Sequence, residues 1–135
     1  MGTQSGLIAR PLAVIMNRRL RTLPVEATLA QAAQVMRDER TGAVLITENG
    51  RFVGIVSETD LVRKAMAEQL NAASESVRRI MSCPIITIEI DRTAHDASDL
   101  MAEKGIRHLA VTRDDRIEGL LSVRDLLRYF KNWGA

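Results

Sequence analysis

The sequence predicts a mixed α/β (α+β) fold made of two pseudo-symmetric β-α-β-β-α repeats that pack sheet to sheet. The first observation is an internal repeat: when the 135-residue chain is shifted by 65 residues, 13 of the 52 pairs that align 15–66 with 80–131 are identical. The second is that both copies show the same order of extended and helical patterns. The third is size, since one copy alone has a marginal core and its sheet would leave one face bare. Pairing the copies about a pseudo-two-fold axis would cover both faces and leave clefts where the halves meet.

Each copy opens with an extended run, at 20–25 or 85–90, and then a threonine that can cap a helix. Thr28 is followed three residues later by Gln, which fits a capping box, and Thr93 is followed by Asp, a weaker form of the same signal. Apolar residues at helical spacing come next in both copies. The sequence therefore predicts a first helix after each threonine.

Two strands and a closing helix complete each copy. The predicted strands 43–47 and 52–56 are joined through Asn49-Gly50, a strong hairpin signal, and strands 108–112 and 117–121 are joined through Asp114-Asp115. The closing helices carry apolar residues that we expect on one buried face, namely Leu61, Val62, Ala65 and Met66 in the first copy and Leu126, Leu127 and Phe130 in the second.

The motif Gly-h-h-Ser-x-x-Asp, where h is apolar, joins the last strand of each copy to its closing helix. It runs from Gly54 to Asp60 and from Gly119 to Asp125. One interpretation is structural, because Ser-x-x-Asp before an apolar run is a helix-capping pattern. The other is functional, because a carboxylate beside free helix N–H groups can accept two hydrogen bonds from a ribose diol. The spacing alone leaves both interpretations open.

These patterns divide the chain into five segments. They are an N-terminal tail (1–10), repeat one (11–66), a partly helical linker (67–79), repeat two (80–131) and a C-terminal tail (132–135).

Composition excludes several classes of protein. A net charge of +2 and only four aromatic residues argue against nucleic acid as a partner. One cysteine and two histidines cannot build the usual structural zinc site, so we expect no metal, and no P-loop, dinucleotide-binding or serine-hydrolase motif is present. No apolar run is long enough to span a bilayer. We therefore expect a cytoplasmic protein that is not an enzyme and has no membrane partner.

The chain from about residue 10 to 131 resembles a tandem pair of cystathionine β-synthase (CBS) domains, often called a Bateman module. The resemblance rests on the repeat, on both Gly-h-h-Ser-x-x-Asp endings, on Ile-Met before each first strand and on the run Gly105–Thr112. It implies a non-catalytic, regulatory ligand sensor without a prosthetic group. Its ligands would be adenosine-containing small molecules (AMP, ADP, ATP or S-adenosylmethionine) in the two clefts between repeats.

The resemblance also implies which residues would form the two pockets. One pocket would use Ser57, Thr59 and Asp60 with Ser82, Ile86, Thr87, Ile106, Arg107 and His108. The other would use Ser122, Arg124 and Asp125 with Asn17, Arg21, Thr22, Thr41, Gly42 and Ala43. The aspartates would bind ribose hydroxyls and the basic residues would face phosphate, although His108 fits a partly buried strand position equally well.

The two copies differ at Arg107-His108, where the first copy has Gly42-Ala43. This mismatch predicts that the pocket built around Asp60 binds phosphorylated ligands better. The resemblance further implies a homodimer and a regulated protein whose identity the sequence does not give. The alternative is a dimeric protein-interaction module in which the clefts are vestigial.

Overall fold

The computed structural model describes residues 10–134, beginning with a short helix α1 (Leu12–Ile15). The predicted N-terminal tail lies outside the described residues apart from Arg10. The described chain divides into two compact units. We call residues 20–85 unit I, and residues 10–19 together with 86–134 unit II.

Unit I contains one three-stranded sheet and the helices that follow its strands. Its sheet has the order β1-β2-β3, in which β1 is parallel and β3 antiparallel to β2. The elements in chain order are β1 (Thr22–Pro24), α2 (Leu29–Glu39), β2 (Ala43–Glu48), β3 (Arg51–Ser57), α3 (Glu58–Asp60), which continues as a π-helix (Leu61–Met66), and a 3-10 helix (Val77–Arg79).

Unit II repeats this plan with a longer closing helix. Its sheet has the order β4-β5-β6, again with one parallel and one antiparallel pair. The elements are β4 (Thr87–Glu89), α4 (Ala94–Lys104), β5 (His108–Arg113), β6 (Arg116–Ser122) and α5 (Val123–Gly134), which extends past the predicted end of the repeat at residue 131. The predicted mixed α/β fold of two β-α-β-β-α repeats is confirmed.

Local sequence accounts for the helix starts and the hairpins. Thr28 and Thr93 both form complete capping boxes. The two-residue turn between β2 and β3 has positive φ at Asn49 (52°) and Gly50 (75°). This is the backbone that Asn-Gly favours, because its twist matches that of the flanking strands. The turn between β5 and β6 adopts the same backbone with Asp114 and Asp115.

Each sheet is bordered by a segment that the repeat assigns to the other copy. Asn17 forms an antiparallel bridge with Leu120, with N–O distances of 2.8 and 3.0 Å. Ser82 forms the equivalent bridge with Ile55, at 2.8 and 3.1 Å. We call residues 12–17 and 77–82 the leaders. Because each leader pairs with the last strand of the other copy, the compact units do not coincide with the sequence repeats.

The glycine of the repeated motif is required where the leader crosses the strand. A Cβ at Gly119 would lie 2.5 Å from Met16 Sδ, and a Cβ at Gly54 would lie 2.7 Å from Met81 Sδ. Real Cβ atoms do not approach sulfur this closely. The Ile-Met pair and the glycine therefore belong to one packing arrangement.

Each unit has its own apolar core, in which α2 or α4, the sheet and the leader meet. Leu12 and Val77, at equivalent positions in the two leaders, are fully buried.

The expectation of one buried face on each closing helix is wrong at three positions: Val62, Met66 and Leu127 are 57%, 76% and 64% exposed. Val62 and its equivalent Leu127 are exposed alike in a π-helix and in a regular helix, so the cause is common to both copies. The buried face of each closing helix is narrower than expected, with Asp60 and Ala65 buried in the first copy and Leu126 and Tyr129 in the second.

Candidate functional site

The Ser-x-x-Asp motif of unit I forms a reciprocal cap at the start of α3. The Ser57 backbone N–H donates to Asp60 Oδ2 at 2.9 Å, and the Asp60 N–H donates to Ser57 Oγ at 3.1 Å. Ser57 Oγ also donates to Asp60 Oδ2 at 3.1 Å. The motif is therefore a helix cap, as the structural interpretation predicted. Capping does not exclude a second role for the carboxylate.

Two further side chains converge on the Asp60 carboxylate. Ser82 Oγ, in the leader, donates to Asp60 Oδ1 at 3.2 Å, and Lys64 Nζ lies 2.9 Å from the same oxygen. Lys64 Nζ also donates to the Ile80 carbonyl at 3.2 Å and to Ser82 Oγ at 3.1 Å. The Asp60 side chain is 8% exposed. Ser57, Asp60 and Ser82 thus contact one another in unit I, and Lys64 joins them.

The equivalent motif of unit II is more open. The Ser122 N–H donates to Asp125 Oδ2 at 2.8 Å, and the Asp125 N–H donates to Ser122 Oγ at 3.1 Å. The nearest cation among the described residues is Arg128, whose Nη1 lies 4.0 Å from Asp125 Oδ1 and whose side chain is 70% exposed. The position equivalent to Lys64 is occupied by Tyr129, which is buried. Asp125 is therefore capped at one oxygen and weakly paired at the other.

The residues before the middle strand lie beside the motif of their own unit. The Gly42 carbonyl accepts from the Glu58 N–H, and the Arg107 carbonyl accepts from the Val123 N–H, both at 2.9 Å. In the sheet register Ala43 faces Ser57, and His108 faces Ser122. Arg107 and His108 thus accompany the Asp125 motif within unit II. Their predicted grouping with Asp60, like that of Gly42 and Ala43 with Asp125, stays a prediction.

The remaining predicted residues lie at several places in the two units. Arg21 Nε donates to Glu39 Oε1 at 3.2 Å, so this arginine already has an anionic partner in unit I. Thr41 Oγ1 donates to the Ala43 carbonyl at 3.2 Å. Three of the others lie in extended segments: Asn17 in the leader bridge, Thr22 in β1 and Thr87 in β4. Ile86 precedes β4 and Ile106 precedes β5. Thr59 and Arg124 lie two residues after the motif serines, at exposed helix positions.

Unit II also has a groove of about 460 Å³ between β4 and α4 that the sequence did not predict. Its lining residues are Thr87, Ile88, Glu89, Arg92, Asp96, Asp99, Leu100 and Glu103. Hydrogen bonds from Thr93, the backbone N–H foremost, hold the pKa of Asp96 below its ordinary value of 3.8. Four carboxylates against one arginine make this groove a poor place for a phosphate group.

Among residues 10–134 no group of three or more His, Cys, Asp or Glu residues could hold a metal ion. None of the helices formed by these residues is long and apolar enough to cross a bilayer. The cytoplasmic location stays a prediction from the sequence.

Comparison with known families decides the identity of the repeat. The family model of the CBS domain matches this chain twice, at residues 12–67 and 77–132. The chain belongs to the CBS-domain family. CBS-domain pairs are generally regulatory rather than catalytic. Each match begins within a leader, so the leader is part of the family's pattern.

Curated relatives include two uncharacterized archaeal proteins. One, from Methanopyrus kandleri, is 36% identical over 103 residues, which cover 75% of this chain and 53% of the relative. The other, from Methanocaldococcus jannaschii, is 29% identical over 128 residues, which cover 85% of this chain and 30% of the relative. The chain thus spans about half or less of the length of these relatives.

Solved CBS structures share the fold. A CBS-domain containing protein from Agrobacterium tumefaciens is 27% identical with a TM-score of 0.78, and the match covers 83% of this chain and 84% of that one. A hexameric CBS-CP12 protein from bloom-forming cyanobacteria is 26% identical with a TM-score of 0.80, covering 87% and 69%.

Proposed function

We propose that this CBS pair is a regulatory module that binds an adenosine-containing ligand, namely AMP, ADP, ATP or S-adenosylmethionine. The observation that carries the proposal is a carboxylate held at the start of each closing helix by its own serine. A carboxylate in this position can accept both hydroxyls of a ribose in charge-assisted hydrogen bonds. The cap fixes the orientation of the carboxylate before the ligand arrives.

The surroundings of Asp125 supply the rest of such a site. The Arg107 backbone contacts the first turn of α5, and His108 faces Ser122 across the sheet. An arginine keeps its charge and can bind phosphate oxygens in a bidentate manner. Arg124 follows Ser122 on the exposed side of the helix. This charge distribution suits a nucleotide better than an uncharged nucleoside.

Signalling would follow from the elements that the ligand engages. The closing helix and the leader meet at Asp60 through Ser82 and Lys64. A ligand that replaces these contacts binds one arrangement of helix and leader better than another and so shifts the population toward it. A regulated protein then binds that arrangement selectively.

Thermal denaturation with millimolar ATP, ADP, AMP and S-adenosylmethionine tests the proposal. A ligand at about 100 times its Kd adds about 2.7 kcal/mol of stability, which raises Tm by several degrees. The matched control is the double variant Asp60→Asn, Asp125→Asn, which keeps side-chain shape and loses both carboxylates. A wild-type curve that none of the four ligands moves would refute ligand sensing.

The second candidate is a protein-interaction module whose ligand sites are vestigial. One observation favours it, namely that the acceptor positions of Asp60 are already taken within the chain. This candidate predicts that partner binding persists in the double aspartate variant.

A homodimer is part of both proposals. Val62 and Leu127 occupy equivalent positions of the two closing helices and are exposed, as is Met66. We infer that these exposed apolar side chains, which lie on both closing helices, contact a second copy. The hexamer of the cyanobacterial CBS-CP12 protein is an example of association in another CBS protein. Sedimentation of the wild type and of Val62→Asp, Leu127→Asp tests the dimer.

A further inference from the structure

The two motif carboxylates differ in how much hydrogen-bonding capacity they have left. An ionised carboxylate offers about four lone-pair positions. Asp60 receives Lys64 Nζ and Ser82 Oγ at Oδ1, and the Ser57 N–H and Ser57 Oγ at Oδ2, all between 2.9 and 3.2 Å. Asp125 has one such contact within the described residues, from the Ser122 N–H. Asp60 is therefore saturated, whereas Asp125 is not.

Lys64 is held by three oxygen atoms of unit I. Its ammonium donates hydrogen bonds to the Ile80 carbonyl at 3.2 Å and to Ser82 Oγ at 3.1 Å, and it forms an ion pair with Asp60 Oδ1 at 2.9 Å. The lysine side chain is 46% exposed. A phosphate group that approached this lysine would have to compete with these three oxygen atoms. Lys64 thus neutralises Asp60 from within the chain.

The contact between Lys64 and Asp60 is specific to the first copy. Lys64 lies within the π-helical segment Leu61–Met66, whose backbone bonds run from Ala67 N–H to Val62 O and from Leu70 N–H to Ala65 O. The second copy has a regular helix and a tyrosine at the equivalent position. Short π-helical segments are frequent at functional sites.

We propose that Lys64 is an intramolecular cation that occupies the Asp60 site, so that the adenosine ligand binds at Asp125 first. The proposal rests on the proposed function and specifies which carboxylate performs it. A ribose diol at Asp60 has to displace Lys64 or Ser82 from Oδ1, whereas at Asp125 it adds to an oxygen whose nearest cation is 4.0 Å away. Breaking a charge-assisted contact weakens binding about tenfold or more. This order of affinity is opposite to the one that the Arg107-His108 mismatch predicted.

Calorimetric titration with AMP tests the proposal on the full chain. The wild type should bind one equivalent tightly and a second at least tenfold more weakly. Asp125→Asn should remove the tight phase, and Asp60→Asn should leave it within about threefold. Lys64→Met, which keeps the apolar stem, should strengthen the weak phase about tenfold. Arg63→Met is the matched control because it removes an exposed cation one residue away and should change neither phase.

The outcomes separate this proposal from the function on which it rests. Loss of the tight phase in Asp60→Asn with no effect of Asp125→Asn would overturn the role of Lys64 while ligand sensing stands. A weak phase unchanged in both Lys64→Met and Lys64→Gln would do the same. If neither the wild type nor these variants bind AMP, ADP, ATP or S-adenosylmethionine, the proposed function fails and the order of affinity fails with it. Circular dichroism of each variant confirms that it is folded.

Discussion

A methyl group added to either motif glycine tests how each leader is packed. We predict that Gly119→Ala destabilises the protein more than Gly54→Ala does. At Gly119 the new Cβ would lie 2.5 Å from Met16 Sδ, 2.8 Å from Met16 Cγ and 3.0 Å from the Asn17 carbonyl oxygen. At Gly54 the three nearest atoms, at 2.7, 3.0 and 3.2 Å, all belong to the Met81 side chain.

The difference between the two sites lies in what can move. Overpacking of this kind costs about 1–3 kcal/mol, and a flexible methionine relieves part of it. Alanine also lowers the entropy of the unfolded chain, which returns about 0.4–1 kcal/mol. A backbone carbonyl that is part of a strand bridge cannot move aside as a side chain can. We therefore expect Gly119→Ala to cost about 2–3 kcal/mol and Gly54→Ala about 0.5–1 kcal/mol.

Urea and thermal denaturation of the two variants and of methionine double variants measure these costs. For a chain of this size the expected losses are about 8–12 °C and about 2–4 °C in Tm. In a Met81→Ala background Gly54→Ala should cost nothing, and in a Met16→Ala background Gly119→Ala should keep only the part due to Asn17. Equal costs at the two glycines, or costs that the methionine substitutions leave unchanged, would refute the reasoning.

The repeat also predicts that each copy can be stabilised by substituting a residue from the other copy. Arg40 ends α2 with a left-handed φ of 53°, and the second copy has Gly105 at the equivalent position. Asp115 has a φ of 64° in the turn between β5 and β6, and the first copy has Gly50 there. Arg40→Gly and Asp115→Gly should each raise the free energy of unfolding by about 0.5–1 kcal/mol in urea titrations, whereas Gly105→Ala should lower it. Because the folded pKa of Asp96 is below its ordinary value of 3.8, its contribution to stability is full above that value and is lost as the pH falls through the folded pKa. Asp96→Gln keeps the capping geometry without a titrating group, so the stability advantage of the wild type over this variant should shrink as the pH falls below 3.8 and disappear below the folded pKa. An advantage that does not shrink in acid contradicts the assignment.

The features that the sequence predicted depend on residues close together in the chain. The caps at Thr28 and Thr93 and the Asn49-Gly50 hairpin are set within four residues, and the structure contains all three. The order of strands and helices in each copy followed from applying one local pattern twice. The meeting of Ser57 with Asp60 belongs to the same group, since capping is a local interaction.

The internal repeat did not predict that each leader pairs with the last strand of the other copy. Ile15-Met16 and Ile80-Met81 are identical, so the sequence does not say which copy each pair packs against. A glycine at a fixed place in each strand indicates a close approach without naming what approaches. The partner is decided by long-range packing, which places Met81 over Gly54.

The contacts of Lys64 were not predicted, although its mismatch with Tyr129 was visible in the repeat. Asp60 and Lys64 are four residues apart, a spacing at which opposite charges pair on a helix. The spacing does not give the contacts of Lys64 with Ile80 and Ser82, because these come from long-range packing of the leader. The exposure of Val62 and Leu127 was also not predicted, because apolar residues at helical spacing do not give the width of the buried face.

The exchanged leaders impose an order on folding during synthesis. Unit I is one continuous stretch, so all of its chain is available once residue 85 has left the ribosome. Unit II needs the first described residues and the last strand together, and Asn17 must wait for Leu120. Until then Leu12 and Met16, which are buried in the finished protein, have no core to enter. A nascent chain that pauses before β6 therefore presents an apolar N-terminal segment to the chaperones that accompany translation.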